Sequence, residues 1–381
     1  MSSCILYQNP SATITILDIP QSIELAQRPL SSPKSPRLVS SKPLEHPYPS
    51  VEPKSAKSKA NVGSTSLEDL LLQKHLEFAV DEVKGQYEGP WCLPRVTVGD
   101  ERGGLMDGRK RRRTDTQEEE RGPAATLKEA RIEVDHVQLP ASLGLAIHYH
   151  NPSEASIHVT LGVEKLESRI PSRSTLLQGA IHATLGIFKN SAPKFELVVL
   201  DPPWPNRSAR RKQSYSISYG NPEIKSLLSS IPIYDHLADE GIVAVWVTNK
   251  LSFKEMILGE GGLFEEWGVE LVEEWMWLKI TSEGQPICAL DSTWRKPYEV
   301  LLVGRRGGEI EEGLLKRKVI IGVPDFHSRK PNLKVLFENI MGKDEGEYEA
   351  LEIFARNLTS RWWSWGNEAL KFQTEEHWAE P

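Results

Sequence analysis

Apolar positions change period along this chain, and the change divides it. From Phe195 onward, short β-rich apolar runs alternate with segments repeating every three to four residues. Phe195 to Val199, Gly241 to Val247, Val269 to Ile280, Tyr298 to Gly304 and Lys318 to Gly322 read as strands, several of them buried on both faces. Asn221 to Leu228, Ser252 to Trp267 (broken at Gly259 to Gly262) and Asn332 to Met341 read as helices. Leu351 to Arg356 and Trp362 to Trp365 close the series with two more strands. Strands alternating with helices predict an α/β fold, a Rossmann-like doubly wound sheet covered on both faces. This places one domain over residues 191–381.

Upstream the pattern is weaker. Ala12 to Leu17 is strand-like and could pair with a distant sheet, but Arg28 to Ser66 is rich in Ser, Pro and Lys. Such a segment buries too little apolar surface to order itself, so residues 1–65 are expected to be mostly disordered. Residues 66–190 read as an accessory region. Ser66 is placed as an N-cap with Asp69 at the third position, followed by Leu72, Leu76, Ala79 and Val83 at helical spacing. A flexible insert near residues 99–125 carries Arg109-Lys110-Arg111-Arg112-Arg113 and then Glu118-Glu119-Glu120. Two strands joined at Pro140 are expected between Lys128 and Tyr149, and a helix from Ser172 to Phe188.

Composition narrows the function classes. No apolar run approaches the ~20 residues that a membrane span needs, and no charged, apolar and small-residue series marks a secretory signal. Three widely spaced cysteines, Cys4, Cys92 and Cys288, fit a reducing compartment and exclude a Cys-x-x-Cys metal site. His148 and His150 share a strand face with no third ligand near them, so no metal is expected. The net charge of −7 excludes a general polyanion binder. Attraction to nucleic acid would have to come from local patches such as Arg207, Arg210, Arg211 and Lys212. The run from Arg109 to Arg113 fits a nuclear import signal or a nucleic-acid patch; on the first a nuclear location is expected, otherwise a cytoplasmic one.

The candidate chemistry sits at Asp201-Pro202-Pro203-Trp204, directly after the first buried strand of the domain. Two prolines end that strand, leaving Asp201 at its carboxyl end, where open α/β sheets place ligands. A carboxylate beside a rigid prolyl carbonyl, free of nearby donors, offers two acceptors to one group bearing two N–H bonds. The exocyclic amine of adenine is such a group. Accepting both hydrogens lets the nitrogen pyramidalise and aim its lone pair at an electrophile. Trp204 offers a flat face on which a base could stack. Asp-Pro-Pro is also an ordinary strand-to-loop turn, so the order of the flanking segments decides between the two.

That order is Val-Leu-Asp-Pro-Pro-Trp, then Val-Trp-Val-Thr-Asn at 245–249, Trp-Met-Trp-Leu-Lys at 275–279 and Lys-Pro-Tyr-Glu-Val-Leu-Leu-Val-Gly at 296–304. His-Ser-Arg-Lys-Pro at 327–331, Leu-Glu-Ile-Phe-Ala-Arg at 351–356 and Trp-Gly-Asn-Glu at 365–368 follow. The series resembles the eukaryotic adenine-N6 methyltransferase family with the Asp-Pro-Pro-Trp motif, and its spacing is closest to the branch called methyltransferase-like protein four. The resemblance implies S-adenosylmethionine as methyl donor and a permuted motif order in which the cofactor strand, Leu351 to Arg356, comes last. It implies that Asp201 and the Pro202 carbonyl hold the amine, Pro203 shapes the turn, and Trp204 and Tyr219 border the base. Lys330 would contact the methionine carboxylate. Glu352, Arg356 and Asn357 would surround its ribose and carboxylate end, with Asn367 and Glu368 near the adenosine. The implied partner is nucleic acid, RNA favoured, with DNA as the alternative substrate and a catalytically silent subunit as the alternative role.

Overall fold

The structure is a computed structural model that describes residues 3–28, 36–49, 66–97, 131–133, 137–138, 145–161, 166–205, 221–292, 295–307 and 315–379. In chain order the N-terminal elements are β1 (Ile5–Gln8), β2 (Ile14–Leu17), α1 (Ile19–Ala26), β3 (Arg37–Ser40), α2 (Leu67–Gln86) and β4 (Val96–Thr97). Next come β5 (Arg131–Glu133), β6 (Val137–Gln138), β7 (Leu145–His150), β8 (Ile157–Leu161), β9 (Leu166–Ile170), β10 (Thr175–Gln178) and α3 (Ile181–Ser191). The catalytic half holds β11 (Phe195–Leu200), α4 (Asn221–Ser229), α5 (Ile233–His236), β12 (Leu237–Val247), α6 (Leu251–Leu258), α7 (Leu263–Trp267), β13 (Glu270–Lys279), β14 (Tyr298–Arg305) and β15 (Lys316–Gly322). It ends with α8 (Lys334–Met341), β16 (Ala350–Ile353), β17 (Trp362–Gly366) and β18 (Trp378–Ala379).

Twelve strands form one sheet in the order β1-β2-β15-β13-β14-β12-β11-β16-β17-β10-β7-β6. At its centre β12, β11, β16, β17 and β10 run parallel. Their alternating residues pack two cores. On one face Leu197, Val199, Ala244, Trp246, Ala350 and Trp362 pack with Ile19 of α1 and Phe337 of α8. On the other, Val198, Leu200, Val243, Val245, Leu351 and Ile353 pack with helices α2 to α7. This is the expected doubly wound sheet, with helices on both sides.

The order of the central strands places the site. From β11 the chain moves to β12 on one side, whereas β16 lies on the other side of β11 and leads on to β17. The sheet therefore reverses its winding between β11 and β16, and the carboxyl ends of these two strands are the switch point at which open α/β sheets place their ligands.

Upstream of β11 the structure departs from expectation in places. Within residues 1–65 the described stretches 3–28 and 36–49 are folded onto the sheet: β2 is buried along its length and pairs in parallel with β15, Ile14 against Val319 and Ile16 against Ile321. This is the distant pairing that the strand-like stretch from Ala12 to Leu17 allowed, and burial of Ile14, Ile16 and Leu17 in a sheet edge stabilises it. The accessory region adds strands to the catalytic sheet itself, since β10 pairs in parallel with β17 and antiparallel with β7. Ser172 to Gln178 is not helical; Thr175, Leu176 and Leu177 form buried strand, and α3 begins only at Ile181. The β-branched and leucine run at 175–177 satisfies a strand as readily as a helix, and an open sheet edge selects the strand. The N-cap expectation holds, with Ser66 and Asp69 forming a reciprocal capping box on α2.

Candidate active site

Asp201 continues the alternation of Leu197 and Val199, so it emerges from β11 on the face shared with Trp246 and α8. Its side chain is largely buried, 13% exposed, and is gripped from two sides. Lys330 Nζ donates to Oδ1 at 2.9 Å, and Arg356 Nη1 donates to Oδ2 at 2.5 Å. Lys330 comes from the loop after β15, and Arg356 from the turn after β16. The Asp201 amide donates to Ile353 O at 3.3 Å, tying the two strand ends directly.

The charges extend outward in strict alternation. Lys330 also pairs with Glu299 Oε2 at 3.0 Å, and Glu299 in turn with Lys279. On the other side Arg356 Nε reaches Glu368 at 3.1 Å, and Glu368 reaches Lys371 at 3.0 Å. Seven side chains from the ends of β13, β14, β15, β11, β16 and β17 thus form one chain of opposite charges along the rim. Glu299 and Lys279 lie within motifs legible in the sequence but carried no assigned role there. Only the sheet order, which sets β14 between β13 and β12, reveals that they face Lys330.

These neighbours set the protonation of the group. Burial would raise the Glu299 carboxyl, but Lys330 and Lys279 outweigh it and hold it far below the usual carboxylate range. Burial would lower the Lys330 ammonium, yet Asp201 and Glu299 together keep it above its ordinary value. Glu352, on β16 behind Asp201, behaves in the opposite way. Burial first and the Asp201 charge second push its carboxyl up to about 8, against the pull of Arg356 and Lys330. At neutral pH Glu352 is therefore a hydrogen-bond donor as well as an acceptor.

The Asp-Pro-Pro-Trp turn departs from expectation at two atoms. The Pro202 carbonyl does meet a donor, the Trp204 amide at 2.8 Å, because the chain folds back tightly over Pro203. One lone pair of that carbonyl remains beyond this bond. Trp204 is 8% exposed, stacks on Phe253 at 4.6 Å and donates its indole N–H to Trp246 O at 2.7 Å. One ring face is thus committed to the α6 side of the core. Tyr219, Arg207, Arg210, Arg211 and Lys212 lie outside the described residues, as does the run from Arg109 to Arg113.

Two residues with positive φ that are not glycine flank the charges: Phe354 at 61° directly after β16, and Ser328 at 72° two residues before Lys330. Each costs roughly 1–3 kcal/mol, a cost that surrounding packing sustains chiefly at functional turns. The Phe354 turn also accommodates its neighbour closely. A Cβ added to Gly366, at the end of β17, would come 3.1 Å from Phe354 Cα. Asn357 is buried, Glu368 half-buried and Asn367 exposed, the last two beyond the end of β17. Gln178 at the end of β10 donates to Asn367 O at 2.9 Å. Two cations, Lys330 and Arg356, with carboxyl and amide groups beside them at the ends of β16 and β17, suit a zwitterionic nucleoside such as S-adenosylmethionine. Lys330 and Arg356 would meet its carboxylate, and Glu352, Asn367 and Glu368 its hydroxyls. Among the described residues no group of His, Cys, Asp or Glu could hold a metal ion. His148 instead lies against Trp363 at 5.5 Å, and His150 Nδ1 is 2.9 Å from Thr175 Oγ1.

A doubly wound sheet with this acceptor turn at its switch point is the architecture of an S-adenosylmethionine-dependent methyltransferase. Comparison with known proteins narrows the class to a family. Residues 195–368 match the MT-A70 family model. The chain is 38% identical to the N6-methyladenosine RNA methyltransferase MTA1 of Cryphonectria parasitica, over 99% of this chain and 94% of that one. It is 35% identical to the human N(6)-adenine-specific methyltransferase METTL4, over 64% of this chain and 51% of that one. A DNA N6-methyl methyltransferase of Caenorhabditis elegans is 30% identical over 54% of each chain. The chain belongs to the MT-A70 family, whose members are S-adenosylmethionine-dependent methyltransferases.

Proposed function

We propose that this protein transfers a methyl group to the exocyclic N6 amine of adenine in RNA. The observation that carries the reading is the bracing of Asp201 by Lys330 and Arg356 beside the Pro202 carbonyl. A carboxylate has about four lone-pair sites. One site on each oxygen is used by a cation, so further acceptor capacity remains and its direction is fixed. The remaining lone pair of Pro202 O provides the second acceptor for the amine. Bound S-adenosylmethionine would supply an electrophilic methyl on its sulfonium. The side chains do the rest: they hold the amine in line, keep the carboxylate from rotating and need no reorganisation during reaction.

RNA is favoured because relatives spanning nearly the whole chain are named RNA methyltransferases. Adenine in a duplex must be flipped at a cost of a few kcal/mol, and a chain of net charge −7 has little electrostatic attraction to offset that. The preferred target is therefore unpaired adenine. Tyr219 would border the base, and Arg207, Arg210, Arg211 and Lys212 would meet phosphates. A silent subunit is disfavoured by the intact Asp201 and its two cations. The run from Arg109 to Arg113 would direct the chain to the nucleus.

The test is incubation of the full chain with labelled methyl donor and matched single-stranded RNA, single-stranded DNA or duplex DNA, followed by mass spectrometry of the nucleosides. N6-methyladenosine formed fastest in single-stranded RNA is expected. Faster methylation of duplex DNA would overturn the substrate assignment, and labelling of no adenine in any arm would overturn the activity.

A further inference from the structure

Lys330 is held in part by residues that lie outside the matched methyltransferase segment. Directly before it, the loop from Val323 to Arg329 is closed by a charged cluster that is almost wholly buried: the Asp325 and Arg329 side chains are 0% exposed and Arg95 is 2% exposed. Asp325 Oδ2 accepts Arg329 Nη1 at 2.6 Å, and Oδ1 accepts the Ser41 amide at 2.7 Å and its hydroxyl at 3.1 Å. Arg329 Nη1 also donates to Val39 O at 2.9 Å. Arg95 donates to three carbonyls, Val323 at 2.8 Å, Pro324 at 3.0 Å and Ser41 at 3.2 Å. The Arg329 guanidinium lies over the rings of Phe372 and Phe326, 4.4 Å and 5.0 Å from their centroids. On the far side of Lys330, the Asn332 amide donates to Ser22 Oγ of α1 at 3.0 Å.

We propose that Arg95, Asp325 and Arg329 are positioning residues for Lys330, so that the N-terminal arm at 36–49 and the segment around Arg95 are working parts of the cofactor site. The inference rests on the reading of Lys330 as a contact to the methyl donor's carboxylate. Three features point to positioning beyond general packing. Charge is buried where apolar side chains of similar volume would typically stabilise the fold as well or better, so the ion pairs fix one geometry more than they add energy. Arg95 bonds two backbone carbonyls of the loop itself, Val323 and Pro324, which sets its path. The loop also carries a residue in left-handed conformation, Ser328, between Asp325 and Arg329 and two residues before Lys330. A misplacement of 1 Å at such a site costs on the order of 100-fold in rate.

The test is a double-mutant cycle on the full chain, read as the dissociation constant for S-adenosylmethionine by calorimetry beside the melting temperature. Arg95→Met and Lys330→Met are each expected to weaken binding, Arg95→Met by roughly tenfold. The double variant is expected to bind no more weakly than Lys330→Met alone, because Arg95 acts through Lys330. Arg95→Lys, which keeps the charge but loses the fork, is expected to recover part of the affinity and carries the same cycle where Arg95→Met does not fold. An Arg95 variant that lowers the melting temperature while leaving the constant unchanged, or losses that add fully in the double variant, would overturn the inference alone. A Lys330→Met variant with wild-type affinity would instead overturn the assignment of Lys330 on which it rests.

Discussion

Asp201 shares its two carboxylate oxygens between Lys330 and Arg356, which decides what its removal does. Asp201→Ala is expected to lower methyl transfer by roughly 100–1000-fold, as removal of one preorganised polar group typically does. It also leaves two buried cations facing each other, and breaking a buried pair costs on the order of 3 kcal/mol. A lowered melting temperature should therefore accompany the fall in activity; a variant that melts like the wild type would contradict the shared grip. Glu352 makes a separate prediction in pH. Its carboxyl stands at about 8 in the folded protein against an ordinary 4.5, so the folded state holds a proton that the unfolded chain releases. That favourable contribution is fully present below pH 4.5 and fades as pH rises toward 8. The wild type should thus lose melting temperature between pH 5 and pH 8 faster than Glu352→Gln, which carries no titrating group there. Parallel pH profiles for the two proteins would place the raised carboxyl elsewhere.

At the scale of elements, the decisive feature is a four-residue strand. β2 covers the edge of β15, and its residues are buried throughout. Deleting residues 1–40 is expected to expose that edge and to give an insoluble or unfolded chain, read by soluble yield and circular dichroism. A soluble, cooperative truncation would show that the sheet tolerates an open edge at β15. Strand length explains why sequence and structure agree in one half and differ in the other. β11, β12, β14 and β15 are long apolar runs bounded by prolines or glycines, and such runs specify themselves. β10 is too short to do so and is a strand because a sheet edge is there to receive it, whereas β2 reads as a strand in the sequence and only its distant partner does not. The site divides in the same way. Asp201, Lys330, Arg356 and Glu368 each occupy a motif, and the fold brings them together. Glu299 and Lys279 join them through strand order, which spacing along a chain does not encode. The Asp325, Arg329 and Arg95 cluster was illegible because Arg95 lies more than 200 residues before the other two and the acceptors are mainly backbone oxygens.

For the whole molecule, charge sets the terms of substrate binding. With a net charge of −7, attraction for a nucleic acid must be local. Replacing Arg207, Arg210, Arg211 and Lys212 by Ala is expected to weaken RNA binding and to flatten its dependence on salt, by up to about one unit of log–log slope for each phosphate left without its cation. Affinity for S-adenosylmethionine should be unchanged. An unaltered salt slope in a filter-binding series would show that this segment meets no phosphates.

The pairing of the first strands with the last also has a consequence in time. β2 meets β15 some 300 residues further along the chain, and β3 meets β18 at Trp378 and Ala379. On a ribosome adding about 5–20 residues per second, the apolar segment from Ile14 to Leu17 emerges roughly 15–60 seconds before its partner exists. For that interval β2 has only β1 beside it and its other edge is bare, and the loop that will present Lys330 has no anchor until the arm folds back onto it. The sheet edge at β15, and with it the arm's hold on the loop that presents Lys330, therefore closes only after residue 322 has emerged.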